Sequence, residues 1–281
     1  MELKVTDYKV DADGVAVVRF NRPGRGNSWT ARMNQEYRWI MAALDEDRAV
    51  RVIVVRGAGR QFCVGADFKA LDFYAGEERD YVATVGSQDA AKPGHGVRPE
   101  FEHDLVWHWG LRKPVIAALN GACAGIAVAI AGFCDLRYAV AGAKITTVAA
   151  RLGLPAEYGL GYLLPRLVGV THAADILLTG RIFTAEEGLH MGFLNGVFPA
   201  EEFDARIEEI ARRVARTVSP EAALATKRQL YAELMSDDVG ACVEDSKRLI
   251  GELMRKPDYK EAIAAMGERR EPRFQGLGAD R

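Results

Sequence analysis

The 281-residue chain has little of several things, and each shortage excludes something. It has almost no net charge: 37 Lys and Arg against 39 Asp and Glu leave −2. A general nucleic-acid binder carries a basic footprint that is missing here. Cysteine is scarce: Cys63, Cys123, Cys134 and Cys242 show neither Cys-x-x-Cys nor disulfide-like spacing. They read as reduced, mostly buried thiols of a cytoplasmic protein. The five histidines include no His-x-x-x-His pair, so no metal site is expected. Gly-x-Gly-x-x-Gly and Walker sequences are absent, which leaves hydride transfer and nucleotide hydrolysis unsupported. The longest apolar run, Cys123 to Phe133, falls far short of the roughly 20 residues of a membrane helix. The N-terminus lacks a basic region followed by an apolar core, so no secretory signal is expected.

What remains is an ordinary globular composition, 49% apolar and 27% charged, in a chain long enough for one large domain and a helical appendage. Val15–Phe20 is β-rich and ends at the turn Asn21-Arg22-Pro23-Gly24. Met33, Tyr37, Ile40, Met41 and Leu44 then recur with a helical period behind a capping Thr30. Val52–Gly57 and Pro114–Leu119 read as fully buried strands, and 137–140 and 144–148 as short ones. Strand, helix, strand at this spacing predicts a layered α/β core. Phe101–Trp109 carries aromatics and two histidines and is expected to be helical. After Gly196 the texture turns helical: Phe203, Ile207, Ile210 and Val214, then Cys242, Leu249 and Leu253, then Tyr259, Ile263 and Met266 keep helical spacing.

Three segments carry a family resemblance: Gly59-Arg60-Gln61-Phe62-Cys63-Val64-Gly65-Ala66-Asp67-Phe68-Lys69; Lys113-Pro114-Val115-Ile116-Ala117-Ala118-Leu119-Asn120-Gly121 running to Gly125 and on to Cys134-Asp135; and Leu178-Thr179-Gly180-Arg181 with Ala185-Glu186-Glu187 and Gly192. Asn21-Arg22-Pro23 with Asn27 is a weaker fourth. In this order they resemble the crotonase superfamily, also called the enoyl-CoA hydratase/isomerase family. The resemblance implies an α/β crotonase (ClpP-like) spiral of ββα units over 1–197 and a C-terminal helical trimerisation region over 198–281. It also implies an acyl-CoA thioester as substrate, no cofactor beyond its CoA moiety, and a homotrimer or a hexamer built from two trimers.

The shared chemistry of that family is stabilisation of a thioester enolate by two backbone N–H groups. By family position these are the N–H of Ala66 and of Ile126. A glycine turn lets main chain approach a carbonyl oxygen, and a helix N-terminus adds its dipole. Losing one such donor typically costs about 3–4 kcal/mol of transition-state stabilisation. The alternative reading of both segments is structural, a glycine turn and a small-residue helix packed on a sheet. Arg25, Asp67, Phe68 and Lys69 match stretches that border CoA in relatives. His103, His108, Trp107 and Trp109 fall in a segment that commonly lines the acyl pocket.

Hydratases of the family resemble one another in two catalytic glutamates. Counting from Asn120-Gly121 and from Gly153, those places hold Ala129 and Ala149. Adding water across a double bond needs acid and base carboxylates. Glu157, four residues after Gly153, is similar in position to the single glutamate of one branch of enoyl-CoA isomerases. Double-bond migration needs one base, with the dienolate held between two proton transfers. The competing reading of Glu157 is a cap on the following helix. The expectation is therefore an enoyl-CoA isomerase with Glu157 as general base. Hydration or β-diketone hydrolysis by a non-standard base, and a non-catalytic acyl-CoA binder, are the alternatives. An RNA-binding relative ranks last, because Arg212, Arg213 and Arg216 are interleaved with glutamates.

Overall fold

The computed structural model describes residues 1–67, 72 and 90–278. Phe68 and Lys69 lie outside the described residues. The strands are β1 (Thr6–Val10), β2 (Val15–Phe20), β3 (Val52–Gly57), β4 (Val115–Leu119), β5 (Cys123–Ala124), β6 (Leu136–Val140), β7 (Lys144–Thr146), β8 (Phe183–Thr184) and β9 (Gly196–Phe198). One sheet has the order β1-β2-β3-β4-β6-β9, antiparallel only between β1 and β2. A smaller sheet has the order β5-β7-β8. From β4 onward the chain visits both sheets in turn: β4 then β5, β6 then β7, and back from β8 to β9. This alternation makes the chain a spiral.

Helices fill the remaining layers: α1 (Ala31–Glu46), α2 (Ile126–Phe133), α3 (Leu160–Thr179), α4 (Ala185–His190), α5 (Ala200–Thr217), α6 (Pro220–Glu233), α7 (Val239–Leu253) and α8 (Pro257–Glu268). The Thr30 hydroxyl accepts the Met33 N–H at 3.1 Å and starts α1. The expected stripe Met33, Tyr37, Ile40, Met41 and Leu44 is its buried face. Inner strands of a parallel sheet are covered on both sides, so their residues are apolar without alternation. On one side Ala16, Val18, Ile53, Val55, Ala117 and Leu119 join the main core. On the other, Val15, Val52, Val54, Ile116 and Ala118 pack under Phe203, Ile207, Ile210 and Ala211 of α5. The first C-terminal helix therefore covers the second face of the sheet.

α6 is tied down by a polar cluster. Lys227 Nζ donates to Asp135 Oδ2 at 2.7 Å and to the Lys113 carbonyl at 2.9 Å. Tyr231 donates to Asp135 Oδ1 at 2.8 Å, and its ring stacks on Trp109 with centroids 4.6 Å apart. Asp135 also accepts the Val115 N–H, so both oxygens of this carboxylate are hydrogen-bonded. α7, by contrast, has no buried residue.

The helix expected over Phe101–Trp109 is instead two short 3-10 turns, Pro99–Phe101 and Val106–Gly110, separated by Leu105 at φ 65°. Consecutive Trp107, His108 and Trp109 are all buried. Glu102, His103 and Asp104 are exposed, so exposed and buried residues fall in two successive blocks and not on two faces of one amphipathic helix.

Candidate active site

The site grows from two glycine-rich loops at the ends of β3 and β4. Asn120 stitches them together: its Oδ1 accepts the Gly57 N–H at 2.9 Å and its Nδ2 donates to the Gly59 carbonyl at 2.8 Å. The Ala122 N–H donates to Gln61 Oε1 at 2.7 Å. Cys63 N–H then donates to the Ala122 carbonyl at 3.1 Å, and Ala124 N–H to the Cys63 carbonyl at 3.0 Å. Residues 63–65 thus run beside 123–125.

Gly65, at φ 96°, is a position where a side chain would be strained. An added Cβ would lie 3.1 Å from the Ala124 carbonyl oxygen. Its backbone turn sends the Gly65 carbonyl to the Trp29 N–H, which donates at 2.7 Å. The C=O and N–H of a trans peptide point in opposite directions. The Ala66 N–H is therefore aimed away from the Trp29 loop, and no hydrogen bond within the described residues engages it.

The same logic applies at the start of α2. The Gly125 carbonyl accepts from Val128 N–H at 2.9 Å, pointing down the helix, so the Ile126 N–H points out of the helix N-terminus. A helix N-terminus carries partial positive charge and favours an oxyanion. Ile126 itself is buried in the core, so its side chain packs inward.

Glu157 approaches from a third segment. The chain leaves a 3-10 turn at Ala149–Leu152, and Glu157 sits just before Tyr158 and Gly159, both left-handed at φ 46° and 74°. A Cβ built on Gly125 would lie 3.8 Å from Gly65 Cα and 3.9 Å from Glu157 Oε2. Gly125, left-handed at φ 55°, is therefore where the two loops and the carboxylate come together. Among the described residues the Glu157 carboxylate has no hydrogen bond or ion pair, and burial pushes its pKa above the ordinary 4.5. It does not cap α3: Gly159 holds that position with no side-chain bond. Ala129 and Ala149, at the two places the resemblance gives to the hydratase glutamates, are both buried and contribute only methyl groups.

The other expected site residues fall into different settings. Arg25 is exposed at the end of the 3-10 turn Pro23–Arg25 and forms no ion pair among the described residues. The Asp67 carboxylate faces Arg22 and Ser28. His108 is fully buried: its Nδ1 lies 2.6 Å from the Leu105 carbonyl and its Nε2 2.8 Å from the Tyr37 hydroxyl. The first contact places the proton on Nδ1, and the Tyr37 hydroxyl donates to Nε2. Burial lowers its pKa to about 3, so it stays neutral. His108 is a core residue, as are Trp107 and Trp109, while His103 is exposed. What the sequence reading passed over is Arg22, although its Asn-Arg-Pro turn was in view.

An enoyl-CoA hydratase/isomerase family model matches residues 11–277. The chain belongs to the enoyl-CoA hydratase/isomerase family. Relatives of this family include an enoyl-CoA hydratase of Alternaria alternata, 31% identical over 94% of this chain and 84% of its own length. A probable enoyl-CoA hydratase of Mycobacterium tuberculosis is 33% identical over 92% of this chain and 89% of its own. Among solved structures, a probable enoyl-CoA hydratase/isomerase from Mycobacterium abscessus superposes with TM-score 0.83 at 30% identity, covering 97% of this chain and all of the other. An enoyl-CoA hydratase from Bacillus anthracis gives TM-score 0.85 at 26% identity over 97% of this chain and 100% of its own. The spiral is the crotonase fold, and the chain is an acyl-CoA enzyme of this family.

Proposed function

We propose that the protein is an enoyl-CoA isomerase that moves a double bond with Glu157 as its single general base. The observation that carries this reading is one carboxylate beside Gly125 with no partner among the described residues, and alanine at both places where a hydration pair would stand. The N–H groups of Ala66 and Ile126 hold the thioester oxygen. Glu157 takes the C2 proton of a 3-enoyl thioester, and the electron pair moves onto that oxygen as a dienolate. The same carboxyl returns the proton to C4, so the double bond ends conjugated at C2–C3 and nothing else is consumed. A carboxylate whose pKa is raised by burial suits both halves of that transfer. The exposed Arg25 and the stretch from Asp67 through Lys69 border the CoA moiety, and no further cofactor is needed.

The test is direct. Purified protein given a 3-enoyl-CoA should develop the ultraviolet absorbance of a conjugated thioester, and Glu157→Gln should lose that activity while still binding CoA esters. Hydration is the second reading, favoured by the names of the relatives. It wins if the protein consumes a 2-enoyl-CoA faster than it forms one and the Glu157→Gln variant still does so. If no enoyl-CoA is turned over by either route, the chain is an acyl-CoA binder.

A further inference from the structure

The Gly65–Ala66 peptide is held by very little of its own. Gly65 has no Cβ and a left-handed φ of 96°, so that peptide plane can rotate at small cost. Its orientation depends on a short ladder to the neighbouring loop: Val64 N–H donates to the Gly26 carbonyl at 3.1 Å, Trp29 N–H to the Gly65 carbonyl at 2.7 Å, and Asp67 N–H to the Trp29 carbonyl at 2.9 Å. Two strands of three or four residues do not hold a register unaided.

Arg22 closes this joint from the side. Its Nη1 donates to the Ser28 carbonyl at 2.7 Å, to Ser28 Oγ at 3.1 Å and to Asp67 Oδ2 at 3.0 Å. Ser28 Oγ donates to the same Asp67 oxygen at 2.9 Å. Ser28 and Asp67 are the residues flanking the paired Trp29 and Ala66. The ion pair is partly shielded, with Arg22 22% and Asp67 15% exposed, so it is screened less than a surface pair. The base of the loop has its own anchor: buried Asn27 accepts the Arg22 N–H at 2.8 Å and donates to the carbonyls of Ala58 and Gln61. The guanidinium therefore has a narrower job than folding the loop.

We propose that Arg22 is a positioning residue of the oxyanion hole: its guanidinium locks the Ser28–Trp29 strand to Asp67 and so keeps the Gly65–Ala66 peptide turned with its N–H toward the cleft. This rests on the reading of the Ala66 N–H as a carbonyl donor. Arg22 touches no substrate in this role. It acts through the direction of one hydrogen bond, and a misplaced donor costs rate far more than it costs affinity.

The experiment uses a chromophoric arylacryloyl-CoA, whose absorption moves to longer wavelength when its thioester oxygen is hydrogen-bonded and polarised. The intact protein should show that red shift, and Glu157→Gln should keep it, because the base is not a donor. In Arg22→Gln the red shift should shrink and kcat fall by about 10- to 100-fold, while the Kd for free CoA stays unchanged. A full red shift in Arg22→Gln overturns the proposal. So does a weakened Kd for free CoA with the red shift intact, since Arg22 would then be a CoA contact. If the intact protein shows no red shift, the donor reading itself falls and the proposal falls with it. Should Arg22→Gln not fold, Ser28→Ala removes the hydroxyl that Arg22 and Asp67 share, and the size of the red shift decides in the same way.

Discussion

Glu157 is the proposed general base, and its pKa direction has two consequences. The unfolded carboxyl titrates near 4.5 and the native one higher, because burial disfavours the anion. Between those values the native state binds more protons than the unfolded state. Stability therefore falls as pH rises through that window, and the deficit persists at neutral pH. Glu157→Gln should melt above the parent protein at pH 7, and the difference should vanish as pH drops below 4.5; thermal melts across pH read this. The acid limb of the parent's kcat/KM should lie above the ordinary glutamate value of 4.5. Gly65→Ala is a second residue-scale case. A methyl 3.1 Å from the Ala124 carbonyl, on a left-handed backbone, should cost about 1–3 kcal/mol in denaturant titrations and lower kcat more than it raises KM. Both residues were legible in the sequence, one by its count from Gly153 and one by the glycine itself. Arg22 was not, because an arginine in a turn reads as solvated until Ser28 and Asp67 are seen around it.

At the scale of elements, the covered strands and α1 followed directly from apolar period and capping, since Val52–Gly57 and the stripe on α1 need only local chemistry. The stretch Phe101–Trp109 went the other way. Its aromatics are buried by contacts with Tyr37, Phe133 and Tyr231, all distant in sequence, and those contacts replaced the expected helix with 3-10 turns. The attachment of α6 is likewise tertiary. Lys227→Met removes one side of a buried pair and leaves Asp135 underpaired, which should cost about 3–5 kcal/mol in chemical denaturation. Tyr231→Phe removes a single bond to the same carboxylate and should cost about 1–3 kcal/mol. Neither change touches the cleft, so kcat per folded molecule should survive both.

For the whole molecule, the C-terminal helices present an unsatisfied surface. Leu230, Val239, Ile250 and Met266 are between 57 and 78% exposed, and they lie on α6, α7 and α8. Exposed apolar side chains on successive helices are the kind of surface a protein contact covers. The proposed assembly is a trimer or a hexamer through these helices. Light scattering at micromolar concentration should return three or six times the 30.8 kDa chain mass, and a stable monomer would refute it. Among the described residues no helix is long and apolar enough to cross a membrane.

The sequence by itself determined what is local or additive: the covered strands, the capped α1, the glycines where main chain must pass close, and the two alanines that empty the usual carboxylate places. Family motifs in their order added the spiral. Tertiary structure alone decided where those pieces meet. The approach of Glu157 to Gly125, the turn of the Gly65 carbonyl onto Trp29 that frees the Ala66 N–H, and the clamp of Arg22 on Ser28 and Asp67 join residues 6 to 45 positions apart by no periodic rule. Hydrogen-bond direction and local backbone turns set them, and neither leaves a mark on composition or pattern.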